Sequence, residues 1–456
     1  MPERDPYQLD PANIAEPPAT LGGCLRHVGP GLILSASVVG SGELVATTIL
    51  GARTGFAALW VILASCLVKV AIQLEFGRHT IQSGHTCMEA IDSLPGPRLG
   101  RAHWTVWFIL LLQPIKVAQM GGILGGLAIV LTMIFGGDQT AWIWAGVLVT
   151  AVLVAVGRYR FVESVCLALL GGFTLLTLAS VVSLTWTPYA FTLADLASGL
   201  RGALPEGEGA LFFVIGTFGL TGVGGDEIMH YAYWLLEKGY AAKTGPYVEG
   251  DEAWNRRARG WIRVMYVDAI VSMLAYTLVT CAFYVLGAAV LHARGEVPEG
   301  YAVIEMLSTV YTESLGTWGR GAFLAGAFIV LFSSCFAASA AWSRAYTDAL
   351  GRIGLIDFRK LAQRNRTIVA FAWAIPACWA LAYLRIQDVV NMVVAGGVAT
   401  AAILLIVVYA GLVFRYRDTL PALKPGRLYD TALWASAASI FGLALYTLMS
   451  SLVPNG

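Results

Sequence analysis

Ionisable side chains interrupt otherwise apolar sequence at two places in the chain. Glu43 ends the sequence GSGE, and Asp226, Glu227 and His230 follow the sequence TGVGG. Ionisable residues within a membrane are costly, and by default they mark function. Asp226 and His230 are four residues apart, so they share one face of a helix. Because desolvated carboxylates bind protons more readily, these residues predict a site that loads and releases protons.

Two further charges lie deep within apolar sequence, Lys116 in LLLQPIKVAQMGG and Asp268 in RVMYVDAIVSML. We expect Lys116 to balance the carboxylates of one proton-coupling group. The predicted members of this group are Glu43, Asp226, Glu227, His230, Lys116, Gln119 and Asp268. The alternative is a buried ion-pair network that has no role in transport.

Other charged residues lie nearer the predicted ends of apolar stretches. They are Lys69, Glu75, Glu163 and Arg344. Long side chains near a helix end can extend their charged heads to the membrane surface. We therefore predict structural roles for these four residues.

The composition is that of a membrane protein throughout. Of 456 residues, 57% are apolar and 13% are charged, whereas soluble domains average about 25% charged. Eleven apolar stretches are long enough to cross a hydrocarbon core. We predict spans at 29–50, 55–77, 104–134, 140–157, 161–186, 210–235, 261–291, 319–345, 367–384, 388–414 and 430–452.

Basic residues predict the orientation of these spans, because loops rich in Lys and Arg stay in the cytoplasm. Most of the 30 Lys and Arg residues fall on one side when the N-terminus is placed inside. We predict a multi-pass protein of the cell (inner) membrane with a cytoplasmic N-terminus and an external C-terminus. The partners implied are the lipid bilayer, a small-molecule substrate and protons, with a monomer as the functional unit.

Several function classes have no support in the sequence. No GxxxxGK[ST] phosphate loop occurs, so neither an enzyme nor an ATP-driven pump is indicated. The seven cysteines lack the paired spacing of a metal site. The net charge of +1 gives no indication of a nucleic-acid partner. We expect no cofactor and no resident metal.

A polar connection at 187–208 divides the spans into two sets of five plus an eleventh. Two halves of opposite orientation are typical of inverted-repeat transporters, in which the first helix of each half is broken at a midplane site. Glycine-rich patches in spans one and six match that expectation. We predict a disordered tail at 1–25, repeats at 26–186 and 209–414, and an additional helix at 429–453.

The two predicted breaks define a candidate substrate site between them. A ligand pocket combines a mostly apolar wall with a few convergent polar groups. The breaks supply small residues and carboxylates, and span six supplies an aromatic ring. The predicted substrate-binding residues are Gly40, Ser41, Gly42, Glu43, Gly224, Gly225, Asp226, Glu227, His230, Trp234 and Asn391.

The sequence resembles the Nramp family of divalent metal ion transporters from about residue 26 to residue 414. The likeness is carried by HVGPGLILSASVVGSGELVATTILGARTGFAALWVILAS, by YRFVESVCLALLGGF and by RVMYVDAIVSML. It implies an all-α polytopic membrane protein with the leucine-transporter fold, an inverted repeat of 5+5 transmembrane helices plus an eleventh helix.

The metal-binding motifs of that family are replaced here. Its Asp-Pro-Gly-Asn motif corresponds to the segment from Gly40 to Glu43, and its Met-Pro-His motif corresponds to Gly224, Gly225 and Asp226. Lys116 and Gln119 stand where the family has two acids that serve proton movement. Losing the soft thioether removes the preference for transition metals. The glycines also predict a larger, less charged pocket, which favours an organic solute.

The leading hypothesis is therefore a proton-coupled secondary transporter that imports a small uncharged polar solute, preferably a monosaccharide such as glucose. The alternative keeps the family's substrate class, with Mg²⁺ or Mn²⁺ held by Glu43 and Asp226 through retained waters. An amino acid is a lesser alternative, since its ammonium could meet Glu43. A receptor or scaffold is least favoured, because it leaves the paired breaks unexplained.

Overall fold

The computed structural model describes residues 5–40, 42–156, 158–203, 214, 217–218, 221–298 and 302–452. These residues are predominantly helical. The sheet within them is one antiparallel hairpin, in which Arg98–Leu99 pairs with Ala102–His103.

The helices follow the eleven predicted spans. Span one comprises Pro30–Val38, Gly42–Thr47 and Thr48–Thr54; span two, Leu59–Val68 and Val70–Ser83; span three, Trp104–Phe135; span four, Gln139–Ala155; span five, Tyr159–Ser183; span six, Gly225–Lys238; span seven, Glu252–Leu286 and Gly287–Leu291; span eight, Ala302–Arg352; span nine, Leu361–Ile386; span ten, Val389–Val413; and span eleven, Arg427–Leu452. The connecting helices are Pro11–Asn13, Leu21–Leu25, Cys87–Asp92, Leu184–Trp186, Leu193–Ser198, Tyr240–Thr244, His292–Arg294, Phe414–Asp418 and Pro421–Leu423.

Eight helices of the described residues are long and apolar enough to cross a membrane. Span four is shorter, with 17 residues, and spans one and six are interrupted. The fold is the predicted leucine-transporter-like inverted repeat with an eleventh helix. Span ten packs on span three, span one on span seven, and span six on spans one and two. The limits of the two repeats remain predictions.

Span one is broken where the sequence places GSGE. Its first helix starts at Pro30, whose fixed φ and missing N–H suit a first helical position. It ends at Val38, and Val39 has an extended backbone with ψ of 93°. The chain resumes at Gly42 in a π-helical turn, a distortion often found at functional sites.

Span six has a matching break before its described helix. Gly222 has a φ of +71°, a conformation that a side chain disfavours. Gly224 is extended, with φ of −87° and ψ of 176°, and the helix begins at Gly225. Both predicted interruptions are therefore present.

The N-terminal segment and the start of span seven differ from the expectations. Residues 5–25 were expected to be disordered, but they lie against the helix bundle. Tyr7 donates to Glu237 over 2.6 Å, and Asp5 pairs with Arg364 over 2.6 Å. Span seven starts at Glu252, nine residues before its predicted limit, because a polar helical extension precedes its apolar part.

Candidate functional site

The described helix of span six begins with the acidic residues of the candidate site. Asp226 and Glu227 occupy its first turn, where the positive end of the helix dipole stabilises carboxylates. Asp226 is 2% exposed. The chain break therefore places two carboxylates next to unwound backbone.

Lys116 of span three reaches this helix start. Its Nζ lies 2.7 Å from Oδ2 of Asp226, 2.7 Å from Oγ1 of Thr400 and 2.5 Å from Oε1 of Gln119. The ammonium of Lys116 thus contacts a carboxylate, a hydroxyl and an amide oxygen simultaneously. The predicted balancing of Lys116 with an acid is present in the structure, in the form of a buried ion pair.

The second oxygen of Asp226 has a different environment. Oδ1 is buried and has no hydrogen-bond partner among the described residues. A buried carboxylate oxygen without a donor is costly. This oxygen is therefore the available acceptor at the site.

The glycines of span six serve close packing rather than opening a pocket. A Cβ on Gly225 would lie 2.8 Å from Cγ2 of Ile403 and 3.1 Å from the backbone nitrogen of Leu404. A Cβ on Gly224 would lie 2.4 Å from the Glu227 carboxylate. Span ten lies against Gly225 and Glu227 lies against Gly224, so these two glycines open no free space on those sides.

His230 lies one helical turn after Asp226. Its ring is 3% exposed and meets Trp342 edge to face, with 4.7 Å between ring centroids. Neither ring nitrogen has a hydrogen-bond partner in the described part of the chain. His230 therefore remains a candidate polar group of the site.

Trp234 does not form the predicted aromatic wall. It lies eight residues beyond Asp226, about 12 Å along the helix. The guanidinium of Arg344 is 4.8 Å from its ring centroid, and Arg344 also binds Glu237, with 2.6 Å between Nε and Oε1. Trp234 therefore belongs to a separate buried ion-pair cluster.

Asp268 anchors the start of span one. Its carboxylate accepts hydrogen bonds from the N–H groups of Gly29 over 2.8 Å and Gly31 over 2.7 Å. It also accepts from the hydroxyl of Tyr231 over 2.8 Å. These bonds satisfy backbone donors that a helix start leaves unpaired. The contacts indicate a structural role in place of the predicted proton coupling.

Several predicted residues are described only in part. Ser41 lies outside the described residues, and Gly42, Glu43 and Asn391 are described in their main chain alone. Gly40 lies in the break of span one, where a Cβ would be 2.4 Å from Oγ of Ser334 on span eight. The roles predicted for these residues stay predictions.

Lys69 was not predicted to lie at the break of span six. It is fully buried, and its Nζ donates to the carbonyls of Phe218 over 3.0 Å and Thr221 over 2.6 Å. The prediction that Lys69 extends to the membrane surface was wrong. Its position in the sequence could have indicated burial, because Lys69 is the eleventh residue of the 25-residue span Leu59–Ser83.

A family model described as natural resistance-associated macrophage protein-like (Nramp) matches residues 31–450. The chain belongs to the Nramp family. This Nramp protein is a membrane transporter and not an enzyme.

Curated relatives of this Nramp protein have low sequence identity to it but align over most of its length. An uncharacterized protein of Pasteurella multocida is 24% identical over 92% of this chain and 91% of its own length. The divalent metal cation transporter MntH of Verminephrobacter eiseniae is 25% identical over 77% of this chain and 74% of its own. The divalent metal cation transporter MntH 1 of Pseudomonas aeruginosa is 24% identical over 61% of each chain.

Solved structures share the fold. The manganese transporter of Eremococcus coleocola, in complex with an aromatic bis-isothiourea substituted compound, aligns with a TM-score of 0.72 at 15% identity, covering 98% of this chain and 93% of that one. MhsT in complex with L-phenylalanine aligns with a TM-score of 0.58 at 15% identity, covering 96% and 100%. At such identities, the likeness concerns the fold alone.

The monosaccharide hypothesis was wrong. The family match and the relatives named as divalent metal cation transporters contradict it. The physical premises fail as well, because span ten fills the space beside Gly225 and Trp234 packs on Arg344.

Proposed function

We propose that this Nramp protein transports a divalent metal cation, a hard ion such as Mg²⁺ or Mn²⁺. Family membership and the names of the MntH relatives support this substrate class. The observation that carries the proposal is the buried carboxylate of Asp226 at the break of span six, with one oxygen unpaired among the described residues.

The available ligands suit a hard cation. Asp226 and Glu227 offer carboxylate oxygens, the unwound backbone offers carbonyl oxygens, and Glu43 lies on the matching segment of span one. Oxygen ligands favour Mg²⁺ and Mn²⁺ over softer metals. The described residues hold no cluster of three or more His, Cys, Asp or Glu side chains placed to bind a metal. In this proposal the transported ion keeps several of its waters, as Mg²⁺ commonly does.

The ammonium of Lys116 competes with the substrate for the carboxylate of Asp226. Its ammonium neutralises Asp226 in this structure, with 2.7 Å between Nζ and Oδ2. A divalent cation that binds the same carboxylate must displace the ammonium, because the two positive charges repel each other. In the exchange the carboxylate of Asp226 has a cationic partner both before and after loading, so this carboxylate is not left unpaired in a buried position.

Protons are the coupling ion in this proposal. Asp226, Glu227 and His230 at the start of span six are the groups proposed to carry them. The loops rich in Lys and Arg support an N-terminus in the cytoplasm and a C-terminus outside. The membrane is the cell membrane.

Metal uptake into proteoliposomes tests the proposed substrate class. We expect saturable Mn²⁺ or Mg²⁺ uptake, reported by a metal-sensitive dye inside the vesicles. D226N should reduce it at least about 10-fold, because a neutral amide loses the charged ligand. E252Q is the matched control, since Glu252 is exposed at the start of span seven. Absence of uptake for both ions would refute the proposal.

A further inference from the structure

A second cluster of oxygen atoms lies on the other side of the break, between spans two and six. Ser65 donates its hydroxyl to the carbonyls of Phe218 over 2.7 Å and Thr221 over 3.0 Å. Thr221 donates its own hydroxyl to Ser65 over 2.8 Å. The carbonyls of Phe218 and Thr221 therefore converge on the middle of span two.

Lys69 places a positive charge in this cluster. Its Nζ donates to the same two carbonyls, those of Phe218 and Thr221, over 3.0 and 2.6 Å. Lys69 lies about 15 Å from one end of span two and about 21 Å from the other. A lysine side chain cannot bring its charge to the membrane surface over that distance. These carbonyls are among the groups that stabilise the ammonium.

The groups around this ammonium are of the kind that bind cations. In transporters with broken helices, unwound backbone carbonyls coordinate the coupling cation. Carbonyl and hydroxyl oxygens are ligands for hard cations. Here the carbonyls of Phe218 and Thr221 bind the ammonium of Lys69, so the cluster contains a covalently attached cation.

We propose that Lys69 occupies a monovalent-cation site as a tethered cation. The charge of Lys69 holds the carbonyls of Phe218 and Thr221 in place, and the wild-type protein needs no inorganic monovalent ion for this purpose. Removing the side chain leaves the carbonyls and Ser65 as a site for Na⁺. This inference is separate from the divalent-ion proposal, because its readout is stability and requires no transport.

A thermal unfolding series of the purified full-length chain tests the inference. K69A and wild type are measured in detergent from zero to about 150 mM Na⁺, with N-methyl-D-glucamine keeping the ionic strength constant. We expect a flat Tm for wild type. For K69A we expect a lower Tm without Na⁺ and a saturable rise of about 2 °C or more, because ligand binding stabilises the folded state.

A lysine outside the break provides the matched control. Lys243 donates to the carbonyl of Lys238 over 3.4 Å, away from the unwound segment. K243A should therefore show no Na⁺-dependent rise in Tm. A Tm of K69A that does not depend on Na⁺, or a rise of the same size in K243A, would overturn the inference.

A second variant covers the case in which K69A does not fold. K69Q keeps an N–H donor for the carbonyls of Phe218 and Thr221 but carries no charge. If the positive charge holds the segment, K69Q has a lower Tm than wild type in N-methyl-D-glucamine. A K69Q protein as stable as wild type in the absence of Na⁺ would show that hydrogen bonding suffices, and the tethered-cation inference would be wrong.

Discussion

Lys116 and Asp226 form a buried ion pair that joins span three to span six, with 2.7 Å between Nζ and Oδ2. The pair lies where the helix of span six begins, so it ties the break to the rest of the bundle. The two residues are 110 positions apart in the chain.

Replacing Lys116 with methionine should strengthen divalent-ion binding. K116M removes the competing ammonium, so we expect the Kd for Mn²⁺ to fall at least about 10-fold, equivalent to about 1.4 kcal/mol. Breaking a buried pair also costs about 3–5 kcal/mol of stability. Titration calorimetry well below the Tm of the variant measures the Kd. K243A is the control, and an unchanged or weaker affinity in K116M would contradict the exchange of ammonium for metal.

Replacing Glu43 with glutamine tests the matching break of span one. Glu43 lies in the π-helical turn Gly42–Thr47, on the segment of span one that the proposed site includes. E43Q loses a charged oxygen ligand, and we expect Mn²⁺ uptake to fall about 10-fold with little change in Tm. Dye-loaded proteoliposomes measure the uptake. Wild-type uptake by E43Q would show that Glu43 is not a ligand in the site.

Asp268 should affect stability more than substrate affinity. D268N weakens the bonds from Gly29, Gly31 and Tyr231, and hydrogen bonds to charged groups are worth about 1.5–3 kcal/mol each. We expect a lower Tm in thermal unfolding and an unchanged KM for Mn²⁺ uptake. Y231F should cause a smaller drop, because it removes one bond of the three. A D268N protein with wild-type Tm and altered pH dependence of uptake would instead support the predicted role of Asp268 in proton coupling.

Gly225 should tolerate no side chain. In G225A the new Cβ meets Ile403 and the backbone of Leu404 at 2.8 and 3.1 Å, so we expect a loss of about 1–3 kcal/mol by overpacking. G442A is the control, because nothing lies within 4 Å of a Cβ at that position, and replacing a helical glycine stabilises a protein by about 0.4–1 kcal/mol. Thermal unfolding compares the two variants. Equal Tm changes in both would refute the close contact between spans six and ten.

Charge and glycine patterns predicted the buried ion pair and both helix breaks. Asp226 and Lys116 were identified because ionisable residues stand out in apolar sequence, and both proved to be buried together. The two breaks were predicted because glycine weakens a helix locally. These are properties of short stretches, so they can be recognised without knowing which spans are neighbours.

Partner choice could not be predicted in the same way. Lys69 and Asp268 are both buried charges, yet one binds the carbonyls of the broken helix and the other binds the start of span one. Trp234 was predicted beside the substrate and instead packs on Arg344. The type of a residue limits the interactions that it can make. The packing of helices that are distant in sequence decides which of those interactions forms.

The sequence by itself determined the membrane class, the number of spans and the position of both breaks, because hydrophobic length and helix propensity act along the chain. Only the tertiary structure decided that the glycines of span six close a helix contact rather than open a pocket. It also decided that two lysines flank the break, Lys116 on the carboxylate of Asp226 and Lys69 on the freed carbonyls. The physical reason is that buried charge is tolerated only where partners from other helices meet it within hydrogen-bond distance.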